Sequence, residues 1–334
     1  MKSYRITVQG CGDFYCPSTD TVLAAGQKAG FGFPNACRNG NCERCMGELV
    51  SGSIKHSRHG QITYAHTEAA NAILTCVALA LEDCIVNVPN TTAPGQHPVV
   101  TKACQILSFE PLAPNISRAL LQLPAGRSVQ WHPGQYLLLL IEGDEYAFSI
   151  ANAPQGRIIE LHIRHDSTSD SATKIVHYLQ HETVVRIKLP FGNRHLGAMD
   201  DTGPLWLICG STGFAQAKAV IEGVLAETPS RPMHLFWGAS ESDGLYLHEL
   251  AEQWEQQGLI EYTPVLSEQQ HDDFQSGLVH EAVLAKQLPN TPPVCLIAGS
   301  PPMGWAVFDA LVAAGFSPEQ LHSDVFDYAP REQI

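Results

Sequence analysis

The hydrophobic rhythm of the chain changes twice. Residues 1 to 90 hold short alternating stretches, "YRITVQG" and "IVNVP", that predict strands. Between them "TVLAAGQKAG" predicts one helix, with Asp20 as N-cap and Gly30 as C-cap. The run "VPNTTAPGQHPVV", Val88 to Val100, gathers Pro, Thr, Asn and Gly without periodicity, as a linker does. From about Lys102 to Pro190 strands dominate: "ALLQLP", "YLLLLIEG", "YAFSIANAP", "RIIELHIR" and "VVRIKLP", with one short helix, "ATKIVHYLQ". Many strands with few helices predict a barrel or sandwich. After Gly203 continuous apolar runs alternate with helical stretches: "LWLICG" then "FAQAKAVIEGVLAE", "MHLFWG" then "LYLHELAEQWEQQ", "VCLIAG" then "MGWAVFDALVAAG". Buried parallel strands separated by helices predict a doubly wound sheet of the kind that binds nucleotides. The expectation is a multidomain protein: an α+β unit over residues 1–90, an antiparallel β-barrel over 98–200 and a doubly wound parallel sheet over 203–334. A length of 334 residues agrees, since one core rarely grows so large.

Composition adds little to this until charge is placed along the chain. Hydrophobic residues make up 44% and charged residues 16%, as in ordinary folded proteins. The net charge is -14, and it is uneven. Residues 1 to 90 carry seven basic and seven acidic side chains, residues 101 to 200 nine of each, and residues 201 to 334 four basic against eighteen acidic. Such a field disfavours nucleic acid and anionic membrane as partners. The opening "MKSYRITVQG" reads as a strand, and the longest apolar run, Tyr136 to Ile141, is far short of the roughly 18 residues a membrane span needs. A cytoplasmic protein is expected.

Ten cysteines without an export signal point to metal or redox chemistry before disulfides. Cys37, Cys42 and Cys45 form C-x4-C-x2-C, and Cys76 follows after thirty intervening residues. That is the plant-type [2Fe-2S] spacing: a tight loop gives three thiolates and turns backbone N–H groups toward the sulfurs, while the fourth arrives from elsewhere. Gly40 allows the close wrapping. A structural zinc site is the alternative, though all-cysteine zinc sites come as two close pairs. Cys84 competes as fourth ligand, but "DCIVNV" reads as strand. Cys11, Cys16, Cys104, Cys209 and Cys295 lack ligand spacing and read as buried apolar residues. Residues 1–90, down to the "CRxGxC" opening, resemble a plant-type ferredoxin domain, which implies a β-grasp fold. The family has Gly after the second loop cysteine; this chain has Glu43.

"WHPGQYLLLL", "YAFSIANAP" and "LPFGNRHL" stand in the order seen in the ferredoxin-reductase superfamily, whose antiparallel barrel holds a flavin. The resemblance implies FAD, with FMN the lesser alternative, held near Tyr136, Phe148 and Ser149. Ser149 would bond the ring near N5 and Phe148 would pack on it. Where the family places an Arg on the flavin phosphate, this chain has Tyr146, and Arg164 is the candidate replacement cation. In "HDSTSDSATK", Ser169, Ser171 and Thr173 are phosphate candidates at a helix start. "LWLICGSTGFAQAKAV" sets Gly210, Thr212 and Gly213 between a strand and a helix, where small residues let N–H groups approach a pyrophosphate. It resembles the family's "GGTGxAP", with Ser211 and Gln216 as substitutions. Gly299 and Met303 match the loop that abuts the nicotinamide. "HSDVFDY" resembles the segment whose acid and aromatic close over the flavin, which nominates Asp324 and Phe326 beside Ser149 for the reacting centre. "GASESD" offers Ser240, Glu241 and Asp243, carboxylates that suit the ribose hydroxyls of NADH and repel a further phosphate. The pairs His56/His59, His162/His165 and His177/His181 lack a third ligand and read as packing or surface residues.

NADH releases two electrons as hydride while iron acceptors take them singly, so a flavin is the required converter and a cluster the one-electron carrier. The implied path runs from NADH to flavin, to the cluster, and on to a separate protein. The domain order resembles the reductase components of multicomponent oxygenases, so a terminal oxygenase or another one-electron protein acceptor is the expected partner. Three alternatives stand. The part after the linker is similar to flavin reductases related to bacterial luminescence, which release free reduced flavin. The chain would also suit the reductase partner of a deoxysugar dehydrase, or a redox sensor that keeps its cluster as a switch.

Overall fold

The computed structural model describes residues 2–58, 61–66, 71–126, 129–165, 169–199 and 202–331. The chain divides into two compact units, Met1–Pro98 and Val99–Ile334. The first contains β1 (Ser3–Val8), β2 (Gly12–Pro17), α1 (Val22–Lys28), β3 (Met46–Ser51), β4 (Ser53–Arg58), β5 (Gln61–His66), β6 (Ala72–Leu74), β7 (Ala78–Ala80) and β8 (Cys84–Asn87). A five-stranded sheet runs β2-β1-β8-β3-β6, with β1 parallel to β8 and the other pairs antiparallel. A second sheet, β5-β4-β7, is antiparallel. Alternation along β1 turns Ile6 and Val8 inward, where they share a core with Phe14, Leu49, Val86 and the α1 residues Val22, Leu23 and Ala25. Burying each such side chain contributes roughly 1.5–3 kcal/mol, which is why one helix suffices to seal the sheet. This is the expected β-grasp.

Two details of α1 differ from expectation. Thr21, not Asp20, is the N-cap, its hydroxyl accepting from the Ala24 N–H at 3.2 Å, while Asp20 pairs with Lys28 at 2.7 Å. Gly30 stands one residue beyond the cap at φ +88°, the left-handed position that ends a helix. The linker also packs back in part. Thr92 bridges to Gly32, so the first compact unit extends to Pro98.

The second unit begins with β9 (Val100–Ala113), β10 (Ile116–Gln122), β11 (Tyr136–Ile141), β12 (Asp144–Ser149), β13 (Ile158–Arg164), α2 (Asp170–His181) and β14 (Val184–Phe191). These strands form an antiparallel sheet in the order β12-β11-β14-β9-β10-β13. Its ends meet through the Ile150–Leu161 bridge and the Ala151 N–H, which donates to Glu160 O at 2.8 Å, closing a barrel. Leu121, Leu137, Leu139, Ile159, Leu161 and Ile187 fill it together with Ile175 and Leu179 from α2.

There follow β15 (Leu205–Gly210), α3 (Phe214–Glu227), β16 (Met233–Ala239), α4 (His248–Gln256), β17 (Glu261–Leu266), β18 (Gln275–Ser276), α5 (Val279–Ala285), β19 (Val294–Ala298), α6 (Pro301–Ala313), β20 (Leu321–His322) and α7 (Val325–Tyr328). Every pair in the sheet β18-β17-β16-β15-β19-β20 is parallel. Both faces are covered, which explains the unbroken apolar strands. Leu205, Leu207 and Cys209 face α3 and α4; Trp206 and Ile208 face α5 and α6. The chain leaves β15 toward β16 and later returns on its other side as β19, so the switch point lies at the carboxyl ends of β15 and β19. This unit thus holds two sheets, the first ending at Phe191 and the second beginning at Leu205.

Candidate functional site

In the loop before β3, Cys37 and Cys42 are exposed and Cys45 is buried; Cys76, between β6 and β7, is buried too. The Cys42 N–H donates to Cys37 Sγ at 3.3 Å and the Cys37 N–H to Cys42 Sγ at 3.5 Å. The Asn39, Cys42 and Asn41 N–H groups pull the Cys37 thiol down to about 6. Burial, then the neighbouring Cys45, pushes Cys76 up to about 12, while the Gly40 N–H acts the other way. Backbone donors aimed at sulfur and thiols in two pairs, Cys37 with Cys42 and Cys45 with Cys76, are what a two-iron cluster requires of its ligands. Among the described residues no three His, Cys, Asp or Glu side chains converge on a single-ion position. Cys84 lies in β8, its Sγ directed to the Glu82 and Ser53 carbonyls.

The wrapping needs left-handed backbone at Gly40 (φ +83°), and also at Arg38 (φ +58°) and Glu43 (φ +57°). A side chain in that region costs about 1–2 kcal/mol. Glu43→Gly relieves this but loosens the unfolded chain, which offsets part of the gain. We expect a net increase in stability of about 0.5–1 kcal/mol, seen as a higher thermal midpoint for the unit Met1–Pro98.

In the second unit a cavity of about 850 Å³ opens where the barrel meets the switch point. Tyr136, Phe148 and Ser149 line it from β11 and β12, where Tyr136 and Ser149 are register partners. Arg164, at the end of β13, is the Lys or Arg among the described lining residues. Tyr146 turns elsewhere: its hydroxyl donates to Asp144, which also holds Lys174 at 2.8 Å.

From the carboxyl ends of β15 and β19 and the segments that follow them come Gly210, Thr212, Gly213, Gly299 and Met303. Ser211 sits between the first two at φ +48°. Its carbonyl accepts from the Trp237 indole N–H at 3.0 Å, and Trp237 stacks on Phe214 at 3.8 Å between centroids. The glycines do different work. A Cβ on Gly213 would lie 2.1 Å from the Ala298 carbonyl oxygen, backbone that cannot turn aside. On Gly210 it would meet the Met303 sulfur at 2.5 Å, the end of a flexible chain. Gly213→Ala is expected to lower the stability of the second unit by about 2–3 kcal/mol and Gly210→Ala by less than about 1 kcal/mol, as read from urea midpoints.

Asp324 also lines the cavity, and burial above all raises its carboxyl to about 6. Behind the walls lies a buried polar chain that the sequence did not reveal. Lys218 Nζ donates to Glu160 at 3.0 Å, Glu222 at 2.8 Å and the Ala151 carbonyl at 3.0 Å. Glu160 meets His162 Nε2 at 2.8 Å, and His162 Nδ1 meets the Tyr246 hydroxyl at 2.8 Å. Burial works against ionisation of Glu160, yet His162 and Lys218 together hold it down at about 2.

Three expected contacts are not brought into this wall. The Phe326 ring packs on Trp305 and Phe308, at 4.6 and 5.1 Å between centroids, and Tyr328 lines the cavity in its place. Thr173 spends its hydroxyl on the Ser169 carbonyl at 3.1 Å, while Ser169 caps α2. Glu241 is exposed in the turn after β16, where Ser240 faces the cavity. Residues missed at first include Ser267 and His280, polar positions that carry no local pattern. The histidine pairs have other contacts: His56 accepts from the Leu74 N–H, His165 meets Ser117, and His181 meets the His177 carbonyl. His59 lies outside the described residues.

The family described as 2Fe-2S iron-sulfur cluster binding domain matches residues 6–81, and the oxidoreductase NAD-binding domain family matches residues 207–308. Terephthalate 1,2-dioxygenase reductase component 1 of Comamonas sp is 30% identical over 324 residues, 95% of each chain. The CDP-6-deoxy-L-threo-D-glycero-4-hexulose-3-dehydrase reductase of Yersinia pestis is 29% identical over 320 residues, 94% of this chain and 95% of that one. Among solved structures, the Amycolatopsis cytochrome P450 reductase GcoB superposes with a TM-score of 0.64 at 26% identity, covering 96% of this chain and 98% of its own.

Proposed function

The chain belongs to the family of ferredoxin-type reductases that join a 2Fe-2S domain to an oxidoreductase NAD-binding domain, and on that premise we propose that its acceptor is a terminal oxygenase. It is an oxidoreductase that passes electrons from NADH through flavin and a [2Fe-2S] cluster to a separate protein. Bound flavin supplies the conversion of a two-electron hydride into single electrons, and the cluster supplies one-electron delivery. Cys37, Cys42, Cys45 and Cys76 would hold the cluster. Tyr136, Phe148, Ser149 and Arg164 would hold FAD, and Gly210, Thr212, Gly213, Gly299 and Met303 the dinucleotide.

The observation that carries this reading is the shared cavity, in which barrel residues and switch-point residues form facing walls. Positioning is the protein's contribution there: Ser149 from β12 and Asp324 before α7 both offer hydrogen-bonding groups to the cavity. Ser240 at the end of β16 and the acidic turn after it favour NADH over a cofactor with a further phosphate. A deoxysugar dehydrase is the second reading of the acceptor, supported by the hexulose-dehydrase reductase relative at nearly equal identity. We place the protein in the cytoplasm; among the described residues no helix is long and apolar enough to cross a membrane.

Gel filtration followed by assay with cytochrome c tests the proposal. The expected result is protein that stays yellow and reduces cytochrome c with NADH in preference to NADPH. Protein that emerges colourless and reduces only added free flavin would overturn it.

A further inference from the structure

Gln216 stands in the first turn of α3 and is 3% exposed. Its Nε2 lies 2.7 Å from the Gly134 carbonyl oxygen and 2.9 Å from Asp324 Oδ2. The Gly134 carbonyl can only accept, so the atom facing it is the amide nitrogen, and the second amide hydrogen is left for Asp324. One side chain thus joins the helix after the glycine turn, the loop leading into β11, and the segment that begins α7. The helix and the α7 segment border the cavity, and the loop runs directly into Tyr136, which also lines it.

The consequence for Asp324 is directional. Oδ2 is committed as an acceptor, so a proton on this carboxyl resides on Oδ1, which lies on the Gly192 and Tyr136 side. We propose that Gln216 is a positioning residue that fixes the Asp324 carboxyl in the flavin cavity with Oδ1 as its proton-exchanging oxygen and favours the ionised form. This rests on the reading of the cavity as the flavin site.

Several charges surround the carboxyl. Asp327 follows it on α7 and disfavours ionisation; Arg194, from the loop after β14, favours it. The Tyr136 and Tyr328 phenols are both raised, by burial first and by Asp324 next, so neither competes as an acid in the neutral range. Burial pushes Asp324 up and Gln216 opposes it, with a net value of about 6. Removing the donor should therefore move the carboxyl higher. One hydrogen bond to a charged group corresponds to a shift of about one pH unit.

The test is a carboxyl titration in the full chain, with aspartate side chains labelled with carbon-13, with and without FAD. The Asp324 resonance is assigned by its loss in Asp324→Asn. The expected midpoint is near 6 in the native chain, and higher by about one pH unit in Gln216→Leu and Gln216→Met. In the native chain the Gln216 side-chain NH2 signal should follow the same midpoint, a reading that needs no variant to fold. The acid limb of NADH oxidation should move with the carboxyl in Gln216→Leu and stay unmoved by that change in an Asp324→Asn background. A midpoint that does not shift, or an NH2 signal indifferent to it, overturns the proposal. Colourless protein would instead defeat the flavin reading, and the titration would still report the link.

Discussion

Cys76→Ser is expected to remove the cluster while leaving the hydride-accepting half of the protein at work. Iron and acid-labile sulfide should fall to background, and the paramagnetic signal after dithionite should disappear. Cytochrome c reduction should drop by at least the order of a hundredfold, whereas ferricyanide, which takes electrons directly from flavin, should still be reduced by NADH within about twofold of the native rate. The reasoning is one of ligand number: two irons need four thiolates, and Cys76 is the cysteine packed against Cys45. Cys84→Ser is the control. With its sulfur turned to two backbone carbonyls in β8, it should leave iron and both activities intact, and the reverse pattern would transfer the ligand role to it.

Lys218→Met should cost the second unit about 3–5 kcal/mol, because it strands Glu160 in a poorly solvated place without its cation. The urea midpoint of that unit at pH 7 measures it. The pH dependence follows from the depressed Glu160 carboxyl, at about 2 in the fold against 4.5 ordinarily. A group lowered on folding contributes stability that is complete above its unfolded value and is lost as pH falls through the folded one. The native contribution should thus fade from about 4.5 toward 2. In Lys218→Met the carboxyl moves upward, so part of the deficit vanishes near pH 5, where the stranded group takes a proton. Glu160→Gln added to Lys218→Met should recover part of the loss at pH 7, whereas two independent effects would simply add.

Much of this architecture was legible because its signals are local. Parallel strands covered on both faces must be apolar throughout, so "LWLICG", "MHLFWG" and "VCLIAG" announce themselves, and C-x4-C-x2-C is set by the reach of one loop. What escaped depends on distant partners. Lys218 and Glu160 are 58 residues apart, and Gln216 and Asp324 are 108 apart; no window on the sequence contains both members. The β4–β5 hairpin was invisible for another reason, since "SIKHSRHGQITYAH" mixes His, Lys and Arg into a sheet edge and its alternation is weak. The exchange of Phe326 for Tyr328 is geometric. Two residues apart on a helix of 3.6 residues per turn, they point to opposite sides, and a four-residue helix has too little pattern to say which is which.

The turn at Ser211 bears on how a dinucleotide would be received. Its left-handed backbone is held by the Trp237 indole, itself locked in a stack with Phe214 and wholly buried. The chain entropy of that turn is surrendered during folding, before any ligand arrives. Association then meets a rigid receptor, and little of the intrinsic affinity is spent on ordering the loop.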